Sequence, residues 1–179
     1  MAIDPSIIGI ACATGAAVFI GSAAMKFADL GEFRAAVENY RIVPEWIAAP
    51  IAWMVPILET AGAAGLMFTV TRASAALLLL GLIAMFTGAI AFNLARGRRD
   101  IDCGCFGPMM RQRLSGWLIV RNATLALLVA VAIGLEDGRA LSALDYATII
   151  PATAALVMLY AAANYLLANL PAIEALRDA

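Results

Sequence analysis

The chain has 179 residues, 64% of them hydrophobic and 14% charged, with a formal net charge of −1 and no histidine. A mean hydropathy of +0.90 excludes a water-soluble globule, the near-neutral balance gives no basic nucleic-acid surface, and three cysteines exclude the disulfide framework of a small secreted domain. The class expected is all-α: a polytopic transmembrane helical bundle of about five spans in the lipid bilayer, a single integral membrane domain over residues 1–179.

The first span is expected over residues 5–27. Asp4 stands where a secretory signal would be basic, so the segment reads as retained. Gly9, Ala13, Ala17 and Gly21 recur every four residues and predict a seam of small side chains for a neighbouring helix, with Cys12 beside it as a small buried hydrophobe. From Lys26 to Pro44 the pattern turns amphipathic, with Phe27, Leu30, Phe33, Val37 and Tyr40 three or four apart. That predicts an interfacial helix capping the bundle, or a docking surface for a soluble partner. The second span, 46–70, carries Pro50, Pro56, Gly62 and Gly65 and is expected to kink. Glu59 lies in its middle, where an acid marks either a functional site or a structural ion pair.

The third span, 73–94, ends at Asn93 and is followed by Arg96, Arg98 and Arg99. The fourth, 115–135, opens on Ser115, a residue suited to an N-cap, and carries Arg121 and Asn122 inside the apolar register. Arg121 lies about 9 Å beyond Ser115, within snorkelling reach of the loop side or of a partner acid. An acidic connection, Glu136 to Asp145, leads to the fifth span, 146–170. There Tyr160 and Asn164, one turn apart, either line a polar stripe or hydrogen-bond a neighbouring helix.

Loop 95–114 holds Asp102-Cys103-Gly104-Cys105-Phe106-Gly107-Pro108. With one other cysteine and no histidine in the chain, the chemistry is limited to thiol redox, thiolate attack or soft-metal capture, beside a purely structural turn. A disulfide between residues i and i+2 closes a small ring that Gly104 permits without relaxing, which makes it readily reduced and oxidising. Arg96, Arg98, Arg99, Arg111 and Arg113 favour a thiolate, while Asp102 opposes it and is suited to hold an arginine or relay a proton. Cys103 and Cys105 are the expected reactive pair, supported by Asp102, Gly104, Arg98, Arg99, Arg121, Asn122 and Glu59, with no metal site. The disulfide itself is the redox group; no quinone motif is recognised.

Five spans place the interfacial helix, the cysteine loop and the C-terminus on one side of the membrane. That side collects Lys26, Arg34, Arg41, Arg96, Arg98, Arg99, Arg111, Arg113 and Arg177, against Arg72 and Arg139 opposite. By the positive-inside rule the cysteine loop faces the cytoplasm.

The run from Asn93 to Gly107, with its Cys-Gly-Cys-Phe-Gly, followed by a span bearing Arg121-Asn122, resembles the methylamine utilisation protein MauE family. Lys26 to Pro44, with Phe33, Tyr40, Arg41 and Pro44, followed by the span holding Pro56 and Glu59, is similar to that family and to DoxX-like membrane proteins. The resemblance implies a multi-pass protein of the bacterial inner membrane that assists maturation, processing or export of the methylamine dehydrogenase small subunit, alongside a thioredoxin-like MauD-type partner. It also implies a four-helix core similar to the vitamin K epoxide reductase type plus one span, with Cys103 and Cys105 as the pair of a thiol-disulfide oxidoreductase. A periplasmic client implies an outward loop, opposite to the charge count. Two other readings stay open: a non-catalytic scaffold docking a thioredoxin-like partner, and a small-molecule carrier using Glu59 and Arg121.

Overall fold

The computed structural model describes residues 3–98, 101, 113–134 and 139–177, with side chains described through residue 169. Among the described residues there are six helices and no extended strand: α1 (Pro5–Ala28), α2 (Leu30–Asn39), α3 (Glu45–Gly65), α4 (Arg72–Ala95), α5 (Gly116–Val131) and α6 (Ala143–Arg177). Four helical stretches, Pro5–Ala28, Glu45–Gly65, Arg72–Ala95 and Ala143–Asn169, are long and apolar enough to cross a membrane. The helix α5 is apolar but has 16 residues, about 24 Å, so it falls short of a hydrocarbon core of about 30 Å. The all-helical, polytopic class expected from composition is the one observed.

Local chemistry sets the helix ends. Asp4 accepts from the Ser6 amide at 2.8 Å and caps α1, with Pro5 at the first helical position. At the other end α1 runs on through Lys26 and Phe27, so the amphipathic helix begins later than its sequence pattern suggested. Asp29 decides the break: its carboxylate accepts from the Glu32 amide at 2.8 Å and starts α2. Helix α3 stops at Gly65 rather than near Val70, and the Thr71 hydroxyl takes the Gly65 carbonyl at 2.8 Å. Ser115 does occupy the N-cap of α5 in an extended conformation, but its side chain makes no capping bond. Helix α6 starts earlier than predicted because Ser142 and Asp145 cap it reciprocally: the Asp145 carboxylate accepts from the Ser142 amide at 2.6 Å, and the Ser142 hydroxyl from the Asp145 amide at 3.4 Å.

Helix α1 is the hub, packed on α3, α5 and α6, while α4 bridges α3 and α5, and α2 lies on α3. Ile8, Cys12, Ala16 and Phe19 of α1 meet Leu79, Leu82 and Ile83 of α4 and Leu125 and Val129 of α5. Between membrane helices such contacts stabilise through close fit more than through exclusion of water. At Gly62 a Cβ would fall 2.6 Å from Leu79 Cδ2, and Leu79 is wholly buried, so α3 and α4 approach this closely only with glycine there.

The small-residue seam predicted on α1 is only partly used. Gly9 lies against Ile149 of α6, but Ala17 and Gly21 are exposed, and the packed face runs through Ile8, Ala11, Gly15, Phe19 and Ser22 instead. The buried face of α1 keeps small residues of its own, Ala11, Gly15, Ala16, Ser22 and Ala23, while Ile7 and Ile20 are exposed.

Candidate functional site

The loop between α4 and α5 is tied to the bundle at a defined place. Helix α4 ends in a Schellman turn: Gly97 has φ +74, its amide donates to the Leu94 carbonyl at 3.0 Å, and the Arg98 amide donates to the Asn93 carbonyl at 3.0 Å. The Arg98 guanidinium then donates to the Tyr40 carbonyl at 3.3 Å, the Asn39 carbonyl at 3.0 Å and Asn93 Oδ1 at 3.1 Å. A cation on the last carbonyls of α2 complements that helix's negative end. Further on, the Leu114 amide donates to the Ile101 carbonyl at 3.1 Å, and both side chains are buried with Tyr40, Ile90 and Leu118. This neck brings the two ends of the loop together beside α2, α4 and α5.

Cys103, Cys105, Asp102, Gly104 and Arg99 lie outside the described residues. Arg98, Glu59, Arg121 and Asn122 are described, and Arg98 acts as a clamp on α2 carbonyls. Cys12 is buried, 4% exposed, and sits 16 residues before the end of α1, about 24 Å along the helix from its loop-side end.

Glu59 is a partner in a buried ion pair. Lys26 donates to its two carboxylate oxygens at 2.8 and 2.9 Å and to Ser22 Oγ, and the Ser22 hydroxyl donates to Glu59 Oε1 at 3.3 Å. Side-chain exposures of 1% and 3% take both charges out of solvent, and the ammonium faces the rings of Phe33 and Phe86 at 5.4 and 5.6 Å. Lys26 is therefore no loop-side charge, which corrects its place in the sidedness tally. The signal was legible in retrospect: Ser22 and Lys26 are one turn apart on α1, within a helix that otherwise carries no charge.

A second polar cluster stands nearby. Arg121 donates to Asn122 Oδ1 at 3.0 Å and to Asn164 Oδ1 at 2.8 Å, Asn122 Nδ2 donates to Thr87 Oγ1 at 3.1 Å, and Asn164 Nδ2 donates to the Tyr160 carbonyl at 2.7 Å. Asn164 thus bonds a neighbouring helix and joins α5 to α6. The two clusters border one small cavity of about 40 Å³ lined by Ser22, Lys26, Glu59, Arg121, Asn122 and Tyr160, room for a water or two and not for a transported solute. Replacing Arg121 by methionine is expected to lower stability by about 1–3 kcal/mol, because Asn122 and Asn164 lose a charged donor in a buried site. Unfolding in mixed micelles measures it, and a wild-type midpoint would count against this linkage.

At the opposite end of the bundle Arg139 donates to Asp4 at 3.1 Å and to Asp145 at 2.7 Å. The Ser6 amide and hydroxyl, followed by Arg139, hold the Asp4 carboxyl below its ordinary value. This knot links the starts of α1 and α6, and nothing in hydropathy pointed to it.

With the geometry in place, comparison with known proteins fixes the lineage. Residues 4–135, α1 to α5 with the intervening loops, match the family model described as methylamine utilisation protein MauE. The chain belongs to the MauE family. It is 40% identical over 158 residues to the MauE protein of Paracoccus versutus, covering 88% of this chain and 84% of the relative. It is 36% identical over 152 residues to that of Paracoccus denitrificans, covering 84% and 82%. The MauE protein of Methylophilus methylotrophus aligns at 34% over 177 residues, 96% of this chain and 90% of the relative, and so extends the likeness into α6. No solved structure matches the chain. This MauE-family bundle is thus described by its own packing, with its α2 cap, loop neck and buried ion pair.

Proposed function

We propose that this chain serves methylamine utilisation as a multi-pass protein of the bacterial inner membrane. In this reading it is a thiol-disulfide redox protein that assists maturation, processing or export of the methylamine dehydrogenase small subunit, next to a thioredoxin-like partner of the MauD type. The observation that carries the reading is the placement of the cysteines. Cys103 and Cys105 stand together in a loop whose ends are pinned at the Ile101–Leu114 neck, while Cys12, the one remaining cysteine, is buried far along α1.

The exchange runs as follows. A client thiolate attacks one sulfur of the Cys103–Cys105 disulfide, forming a mixed disulfide and releasing the other cysteine as a thiolate. The client's second thiolate then attacks its own sulfur in the mixed disulfide and displaces the remaining cysteine. The client leaves oxidised by two electrons and the pair is left reduced. Exchange with the disulfide of the thioredoxin-like partner restores it.

Thiol labelling in intact cells tests this, with permeant and impermeant reagents, before and after mild reduction, in a Cys12→Ser background. The expected result is a pair that labels only after reduction and, as a periplasmic client requires and against the charge count, from outside. Labelling from inside alone places the pair in the cytoplasm and sinks direct service to a periplasmic client. Thiols that never form a disulfide sink the redox reading.

A further inference from the structure

A larger cavity opens on the α5–α6 side of the bundle, with one end at Trp117 near the loop neck. Helices α5 and α6 both pack on α1, and between them runs a cleft of about 580 Å³. That volume lies within the usual range for a single small-molecule ligand. Trp117, Leu159 and Ala163 form part of its wall, with Arg121 and Tyr160 on its inner side.

One polar group in this apolar lining stands out. Thr14 of α1 is 3% exposed, lines the cleft, and its hydroxyl has no hydrogen-bond partner. Three other helical threonines turn their hydroxyls back onto the carbonyl four residues earlier, Thr60 onto Pro56 at 2.8 Å, Thr87 onto Ile83 at 2.7 Å and Thr124 onto Val120 at 3.0 Å, whereas Thr153 of α6 shares the unpartnered state of Thr14 but does not line the cleft. The Thr14 hydroxyl is thus a buried, unpartnered donor on a residue of the cleft wall, a group whose desolvation is unfavourable until an acceptor meets it.

Depth selects the acceptor. Thr14 lies about 14 Å from the start of α1 and about 21 Å from its end, near the middle of the hydrocarbon layer. A Cβ on the adjacent Gly15 would fall 3.6 Å from Val129, which sets Thr14 level with the end of α5, about 12 Å from Arg121. Phosphate and ester groups of a phospholipid stay near the interface and do not reach this depth. We propose that the cleft binds an uncharged, bilayer-soluble molecule whose apolar body fills the space between α5 and α6 and whose carbonyl oxygen accepts from Thr14. The proposal does not rest on the thiol reading.

The test uses the full chain in lipid nanodiscs with Trp46→Phe and Trp53→Phe, which leaves Trp117 as the sole indole, and decylubiquinone as the probe. Quenching of Trp117 is expected to saturate with the mole fraction of quinone. Thr14→Val should raise the half-saturation point about fivefold, the equivalent of one hydrogen bond, while Thr14→Ser keeps the wild-type value. Ala163→Phe, at an exposed position on the cleft wall, should remove the saturating component without moving the unfolding midpoint. Quenching that rises linearly with quinone in every variant reports partition alone and overturns the proposal. So does quenching by a dibrominated phospholipid that the quinone does not relieve, since the cleft would then belong to bulk lipid.

Discussion

Substituting either Cys103 or Cys105 by serine is expected to abolish maturation of the methylamine dehydrogenase small subunit while the chain still inserts and folds. Neither half of the exchange survives the loss of one sulfur: with Cys103 absent no intramolecular disulfide forms, and with Cys105 absent the same holds. The two single variants should therefore be as defective as the double variant, because the residues act as a unit. The neck that positions the loop uses the Ile101 carbonyl and the Leu114 amide, with no cysteine involved, so insertion and thermal stability should stay at wild-type levels. Client activity in a strain carrying each variant, read beside protein abundance, decides the matter. Normal client activity in both single variants would remove the thiol mechanism and leave a scaffold.

Glu59→Ala is expected to destabilise the bundle by about 3–5 kcal/mol, the usual consequence of breaking a buried pair and leaving one charge alone. Lys26 lies only two residues from the end of α1, so its ammonium would ordinarily extend to the interface. Here α2 lies across that exit, with Phe33 over the ammonium at 5.4 Å, so escape requires lifting α2 from α3. Removing both charges together reverses the sign of the argument. Lys26→Met with Glu59→Met replaces the pair by apolar groups of similar reach and should recover most or all of the loss. Unfolding of the three proteins in mixed micelles checks this, and equal stability of Glu59→Ala and wild type would refute it. A double variant that also retains client maturation would remove the carrier reading of Glu59.

Hydropathy made the helices legible and left their facing directions hidden. The stretches from Pro5 and from Arg72 are apolar on nearly every side, so their sequences carry no stripe to say which face packs. That is why the regular spacing of Gly9, Ala13, Ala17 and Gly21 gave a seam of which only the Gly9 end meets a neighbouring helix. Charges misled for a different reason. Lys26 and Asp145 were read as connecting residues because they border apolar runs, yet each lies inside a helix and is held by a partner remote in sequence or across a turn, Glu59 in one case and Arg139 in the other. Arg98 was read as a field on the thiols, and its neighbours turned out to be carbonyls of α2, which no pattern within its own segment could announce. Arg121, Asn122 and Asn164 stood out as polar residues within apolar runs, and their meeting follows from α5 and α6 both leaning on α1.

The pairing of Lys26 with Glu59 also bears on how the chain is made. Synthesis is vectorial, so α1 enters the bilayer before α3 has left the ribosome, and for that interval Lys26 has no carboxylate to meet. Its position near the end of α1 lets the ammonium wait among headgroups. Only when α3 arrives with Glu59 can the charge be drawn inward, and only then can α2 settle over it. The ion pair thus imposes a sequence on biogenesis: the interfacial cap closes last, after the two helices beneath it have found each other.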